Sequence, residues 1–258
     1  MNQPYSKSNP LPDNALKDKV ILITGVTSGI GRSLSLSAAS LGATVILLGK
    51  DVKKLEKLYD EIIEQGFPEP AIHPLNLLKL DPDKANDLKN AIQKLYGRLD
   101  GIVHNAAEIN RLAAIEHYPA WLWQSIMHVN LNTPFLLTQT LMELLKKSSN
   151  ASIVFPLDNF SINNAYWGAY GCAKAGLKSL SEMLISEFDN TPNIRVNNIN
   201  LHKVNTKLRR RVYPAEDMES LLLPEDTVYP FLYLLSDLSK EVHGQTYSLS
   251  PEEIELCA

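Results

Sequence analysis

Tyr170 and Lys174 stand four residues apart in the stretch WGAYGCAKAG, a spacing that brings both side chains onto one face of a helix. A lysine ammonium beside a phenol favours the phenolate and draws its pKa from about 10 toward neutrality. The pair could then give or take a proton as a carbonyl is converted to an alcohol or back. A core tyrosine next to a surface lysine is the plain alternative, so the pair gains meaning from its surroundings.

A second chemical signal lies near the start of the chain, in KVILITGVTSGIGRSLSLSAAS. Val20 to Ile23 form a short apolar run suited to a strand covered on both faces of a parallel sheet. Gly25, Gly29 and Gly31 follow at once, where a chain must turn sharply, let something bulky approach its backbone and enter a helix. The free N–H groups and dipole of that helix make an anion site without a charged side chain, and a dinucleotide pyrophosphate is the natural occupant. The spacing is G-x-x-x-G-x-G, and a purely structural turn between strand and helix is its plain reading.

The elements that must position these groups alternate along the chain. Further strands are expected at Ala43–Gly49, Ala71–Leu75, Asp100–His104, Ser152–Phe155, Ile194–Ile199 and Thr246–Leu249. Between them lie helices over Asp51–Gln65, from Asp81 and Pro82 to Gly97, over Pro119–Leu145, over Tyr170–Phe188 and from Pro224 to Leu235. The alternation predicts one doubly wound α/β domain over residues 18–258, a seven-stranded parallel Rossmann-type sheet with helices on both faces. Residues 1–17 are polar and proline-rich and are expected to be a flexible extension, and the irregular segment at about 201–223 reads as a lid. Thr24–Gly31, Asn105–Ala107, Asp158 with Asn159, and Asn200–Thr206 all fall at strand ends, where ligands of such sheets bind.

The whole chain narrows the function classes. Its 258 residues carry a net charge of −4, which leaves no electrostatic footprint for nucleic acid or an anionic membrane. The absence of a long apolar run or secretion signal points to the cytoplasm. Cys172 and Cys257 are expected to be free thiols, and the six histidines show no ligand spacing, so no metal is expected.

From about Val20 to Leu249 the chain resembles the short-chain dehydrogenase/reductase family. The resemblance rests on Thr24-Gly25, Gly29-Ile30-Gly31, Asn105-Ala106, Asn130 and Tyr170 with Lys174, and within the family it is most similar to a subgroup of uncharacterised bacterial oxidoreductases with VILLG and WGAY stretches. It implies that Tyr170, Lys174 and Asn130 are catalytic. It also implies a cofactor site made by Gly25, Thr27, Ser28, Gly29, Ile30, Gly31, Lys50, Asn76, Leu77, Asn105, Ala106, Lys174 and Thr206. Lys50, at the end of the second strand, suits the 2′-phosphate of NADP(H) better than the ribose hydroxyl of NAD(H), with Asp51 beside it as a counter-signal. The family also pairs the helices at Pro119–Leu145 and Tyr170–Phe188 across a two-fold axis, so a homodimer or homotetramer is expected, with Trp121, Trp123, Phe135 and Met183 available to an interface.

The chain also departs from the family pattern. The serine that binds the carbonyl oxygen about 13 residues before the tyrosine is absent, and Leu157 or Asp158 stands there instead. An ionised Asp158 would repel a substrate oxygen gaining negative charge, whereas a protonated Asp158 or the Asn159 amide could donate to it. Ala107, Asn76 and Leu201-His202 replace a glycine, an aspartate and a Pro-Gly pair. The leading expectation is an NADP(H)-dependent oxidoreductase acting on a small carbonyl or alcohol with an altered site. A dinucleotide-binding pseudoenzyme that senses or scaffolds, and an interaction protein with a relict site, stay open.

Overall fold

The computed structural model describes residue 6 and residues 9–249. Seven parallel strands, β1 (Val20–Thr24), β2 (Thr44–Gly49), β3 (Ala71–Pro74), β4 (Gly101–Val103), β5 (Ala151–Leu157), β6 (Ile194–Asn200) and β7 (Thr246–Ser248), form one sheet in the order β3-β2-β1-β4-β5-β6-β7. The expected doubly wound parallel sheet is what the chain builds. Strand β1 shows why both faces are apolar: Ile21 and Ile23 point to one layer and Leu22 to the other, and all three are fully buried. Helices α1 (Gly29–Ser40), α2 (Val52–Glu64) and α8 (Tyr229–Leu235) cover the first face through Leu34, Leu55 and Phe231. The second face takes α3 (Pro82–Tyr96), α5 (Thr133–Lys146) and α6 (Gly168–Phe188) through Leu88, Leu141 and Leu177.

Local chemistry accounts for the element ends. Asp81 caps α3 by accepting from Lys84 N–H at 2.9 Å, Pro82 starts the helix, and Gly97 ends it at φ +73°. The single helix expected over Pro119–Leu145 is instead α4 (Ala120–Met127), a π-helical turn over His128–Asn132, and α5. The π turn widens the backbone at Asn130, whose side chain reaches out to hold another segment.

Strand β5 runs past the proline at which the sequence suggested it would stop. The β4 pairing ends at Val103↔Val154, while the β6 pairing continues to Leu157↔Asn200. Residue 156 has the same orientation as Val154, whose carbonyl accepts from His104 N–H, so its missing N–H faces a side that β4 has already left. The Pro156 carbonyl is thereby free of the sheet.

The irregular segments hold more order than the sequence suggested. The N-terminal stretch is not a free lead-in from Leu11 onward: Leu11 and Leu16 are buried in the α1 face of the core, and Leu16 N–H donates to Leu41 carbonyl at 3.0 Å. Two apolar side chains among polar neighbours were enough to anchor it. The 201–223 segment contains the helix α7 (Lys207–Val212), a 3₁₀ turn at Met218–Ser220 and a bridge between Val204 and Leu222. Cys172 is a free, exposed thiol, and Cys257 lies outside the described residues. Among the described residues no helix is long and apolar enough to cross a membrane, and no group of three His, Cys, Asp or Glu side chains could hold a metal.

Because Leu16 is completely buried, Leu16→Ala should lower stability by about 2–4 kcal/mol in chemical denaturation. A truly free extension would give a change within experimental error.

Candidate active site

The strand ends of β1, β4, β5 and β6 open into one cleft of about 430 Å³. Gly25, Thr27, Ser28, Gly29 and Ile30 line one end, Lys50, Asn76 and Leu77 its rim, Asn105 and Ala106 the middle, and Asp158, Tyr170 and Lys174 the other end. Every residue the resemblance assigns to catalysis or the cofactor faces this space except Gly31 and Asn130, which support it from behind, and Asn159 is exposed outside it.

The glycine end is held by polar side chains acting on backbone. Thr24 Oγ1 accepts from Ala106 N–H at 2.9 Å, and Asn105 Nδ2 donates to the carbonyls of Thr24 at 2.9 Å and Gly25 at 3.3 Å. Those bonds tie β1 to the segment after β4. A Cβ on Gly31 would sit 2.4 Å from both Asn105 Nδ2 and the Gly25 carbonyl, so glycine is needed there for close approach. Ser28 precedes α1 without capping it through its side chain. The first-turn N–H groups therefore lack a side-chain cap, as an anion site requires. Thr206 caps α7 by accepting from Arg209 N–H and packs its methyl group against Gly29.

At the rim, Asp51 is engaged elsewhere. Its carboxylate caps α2 at Lys54 N–H and pairs with Lys54 Nζ at 2.6 Å, whereas exposed Lys50 makes no ion pair among the described residues. Asn76 turns its Oδ1 to Leu78 N–H at 3.1 Å. A dinucleotide carrying a 2′-phosphate suits this set: glycines at the pyrophosphate, N–H groups at a helix start, and a cation where the second strand ends.

At the reactive end, Lys174 donates to the freed Pro156 carbonyl at 2.9 Å, and its Nζ lies 5.6 Å from the centre of the Tyr170 ring. The Asp158 carboxyl shares the end of the cleft with the Tyr170 phenol and bears on it electrostatically. Asp158 is fixed in a turn: Ser161 N–H reaches its Oδ1 at 3.3 Å, and Ser161 Oγ donates to its carbonyl at 2.9 Å. Of the two residues that could replace the missing serine, Asp158 enters the cleft and Leu157 points into the core. Asn130 touches none of the three. It donates to the carbonyls of Glu108 and Ile126, both at 2.8 Å, and accepts from Glu108 N–H, bracing the loop after β4.

Electrostatics at this end run against the sequence expectation for Tyr170. Burial, reinforced by the Asp158 carboxyl, lifts its phenol well above the usual range instead of drawing it toward neutrality. Burial also raises Asp158, with Lys174 opposing, and lowers Lys174 to about 8, with Asp158 opposing. Each charge is disfavoured by lost water and partly restored by a neighbour.

Pattern reading missed the wall beyond these groups. Trp167 lies 5.6 Å from Tyr170 and 6.2 Å from Tyr213 between ring centres, with Phe160 edge-on to it. Arg209 lies over the Tyr213 ring at 4.1 Å and grips Glu216 with two bonds of 2.6 and 2.7 Å. Arg211 donates to the Ile109 carbonyl and to Glu108, latching α7 across the cleft mouth. Only the tryptophan in WGAY offered a local signal.

A parallel sheet with a glycine loop after its first strand and a buried tyrosine–lysine pair defines a nucleotide-dependent oxidoreductase fold. The chain belongs to the short-chain dehydrogenase family: the short chain dehydrogenase family model matches residues 19–217. It is 35% identical over 237 residues to the uncharacterized oxidoreductase YciK of Escherichia coli K12, covering 92% of this chain and 93% of that one. A Shigella flexneri 2a chain assigned as a short chain dehydrogenase and complexed with NADP is 34% identical with a TM-score of 0.88, over 92% of this chain and 99% of that one. A counterpart from Escherichia coli CFT073 complexed with NADPH is 35% identical with a TM-score of 0.88, over 93% and 100% of the two chains.

Gly31→Ala should force Asn105 off the Thr24 and Gly25 carbonyls and lower stability by about 1–3 kcal/mol in thermal or urea denaturation. An unchanged midpoint would mean that the loop can yield without loss.

Proposed function

We propose that the protein is an NADP(H)-dependent oxidoreductase that interconverts a carbonyl and an alcohol, with Asp158 in place of the usual serine hydroxyl. One observation carries the reading: Asp158, Tyr170 and Lys174 together line the far end of a cleft that starts at an anion-binding glycine loop. Lys50 without an ion pair, Asp51 bound to Lys54, and the relatives complexed with NADP and NADPH support the choice of cofactor. Gly25, Ser28, Gly29 and Lys50 would hold its phosphates, and Lys174 its nicotinamide ribose. The bound nicotinamide supplies or accepts the hydride.

The remaining steps belong to the chain. Tyr170 gives its proton to the carbonyl oxygen as that oxygen gains charge. Asp158, kept protonated to higher pH than an ordinary aspartate, donates a second hydrogen bond to the same oxygen. Lys174, pinned by Pro156, keeps a positive charge beside the phenol and limits the cost of tyrosinate. Wild-type reduction then falls as pH rises through the raised Asp158 pKa, because the donor is lost and a negative charge replaces it. Lys174, Tyr170 and Arg209 with its partner Glu216 are the other titratable groups bearing on that carboxyl.

A binding-only protein is the competing reading. It is favoured by the phenol's shift away from neutrality, which disfavours tyrosinate. Asp158→Ser discriminates between the two: above the Asp158 pKa, where the wild-type donor has become a carboxylate, reduction of generic ketones by NADPH should rise at least ~10-fold, part of the roughly 10²- to 10³-fold that one oxyanion donor is worth; below that pKa it should change little, and Tyr170→Phe in that background should abolish the gain. NADPH binding with no reduction of a broad carbonyl panel by either protein would favour the binding reading.

Lys50→Ala should weaken NADPH by ~10-fold, about 1.4 kcal/mol, and leave NADH unchanged in fluorescence titration. Equal loss for both nucleotides would remove Lys50 from the phosphate site. We also propose a homodimer or homotetramer through α4, α5 and α6, whose Trp121, Phe135 and Met183 are about half exposed or more. Light scattering at micromolar concentration should give a multiple of 28.8 kDa, and a monomer mass would refute this.

A further inference from the structure

Asp158 is an acid in the position from which a substrate's reacting heteroatom is normally given a hydrogen bond, and its surroundings leave it acidic work to do. It makes no ion pair among the described residues. The two cations that bear on it are both committed elsewhere, Lys174 to the Pro156 carbonyl and Arg209 to Glu216. The Ser161 and Phe160 N–H groups hold the carboxyl in the turn, and Tyr170 shares the cleft end with it. A carboxyl so placed is ambivalent toward a ketone, since its ionised form opposes the oxyanion that hydride addition creates. Toward nitrogen there is no such conflict. An imine accepts hydride well only as the protonated iminium, and a carboxylic acid supplies that proton and, as the carboxylate left behind, pairs with the cation formed.

We infer that this site reduces C=N bonds, taking flat, apolar cyclic imines in preference to ketones of similar size, with Asp158 protonating the imine nitrogen. The inference rests on the proposed NADP(H) reading and adds a substrate class to it. Trp167, Phe160, Leu208 and Val212 line the cleft beside Asp158, a wall that suits a flat hydrocarbon ring. In the reaction Asp158 passes its proton to nitrogen, hydride from NADPH adds to the imine carbon, and the C=N π pair becomes the lone pair on nitrogen. The product is the amine, NADPH leaves as NADP⁺, and the Asp158 carboxylate regains a proton from solvent. The raised proton affinity of the partly buried carboxyl is consistent with an acid that holds its proton until substrate arrives.

The test follows NADPH oxidation by the full chain with 3,4-dihydroisoquinoline and 2-methyl-1-pyrroline, against 1-tetralone and cyclopentanone as size-matched ketones. NADPH affinity is measured separately by fluorescence. Wild type should show kcat/KM for the imines at least ~100-fold above that for the ketones. Asp158→Asn should lose ~100-fold on imines with NADPH affinity within threefold of wild type, and Asp158→Ser should lose imine activity while gaining ketone activity. Ketones preferred over imines, imine turnover that survives Asp158→Asn, or no imine turnover by an NADPH-bound wild type would each overturn the substrate class and leave the cofactor reading standing. Failure to bind NADPH would overturn both.

Discussion

A carboxyl, a phenol and an ammonium share the space between the end of β5 and the start of α6, and the loss of water from all three sets the character of the site. In bulk solvent Asp158 would be ionised, Tyr170 neutral and Lys174 charged, each indifferent to the others. Together at the end of the cleft they lose water: the carboxyl is pushed up with Lys174 opposing, the phenol well up with Asp158 adding, and the amine down to about 8 with Asp158 opposing. A serine in place of Asp158 would remove one charge from that balance. The aspartate therefore changes the proton economy of the whole end of the cleft and not only one hydrogen bond.

The sheet makes this cluster possible by ending its strands at different heights. β4 stops at Val103 while β5 continues beside β6, so one carbonyl, that of Pro156, is left for Lys174. A proline at 156 suits a position where a strand N–H would have no ladder partner. At the other end of the cleft, Thr24 and Asn105 splice the end of β1 to the turn after β4, so the glycine loop keeps its shape through side-chain bonds to backbone. Asn130 does the same for the loop at Glu108 from a π turn. These polar side chains are used as structural pegs, which leaves the cleft itself lined by backbone, glycine and a few titratable groups.

Much of this was legible in the sequence, for identifiable reasons. Strands buried on both faces read as continuous apolar runs, so VILI and VILLG declared themselves, and Asp81-Pro82 with Gly97 marked α3 at both ends. Glycine spacing and the four-residue step from Tyr170 to Lys174 located both ends of the cleft. The proton affinity of Tyr170 was misjudged, because a pairwise view of lysine and phenol omits burial, the largest cause of the shift. The extension of β5 was hidden by Pro156, whose tolerance depends on how far β4 reaches. Leu11 and Leu16 were overlooked within a polar, proline-rich composition. The aromatic wall of Phe160, Trp167 and Tyr213 joins residues from separate segments, and no local period links them.

The chemistry of the site depends on the state of the Asp158 carboxyl. A ¹³C NMR titration of carboxyl-labelled aspartates, with the Asp158 signal assigned by its loss in Asp158→Asn, measures it directly in the folded protein. The midpoint should lie clearly above that of an ordinary aspartate and move further upward when Lys174→Met removes the opposing ammonium. A midpoint at or below the ordinary value, insensitive to Lys174, would show a solvated or ion-paired carboxylate and contradict the shared proton balance on which the proposed chemistry is built.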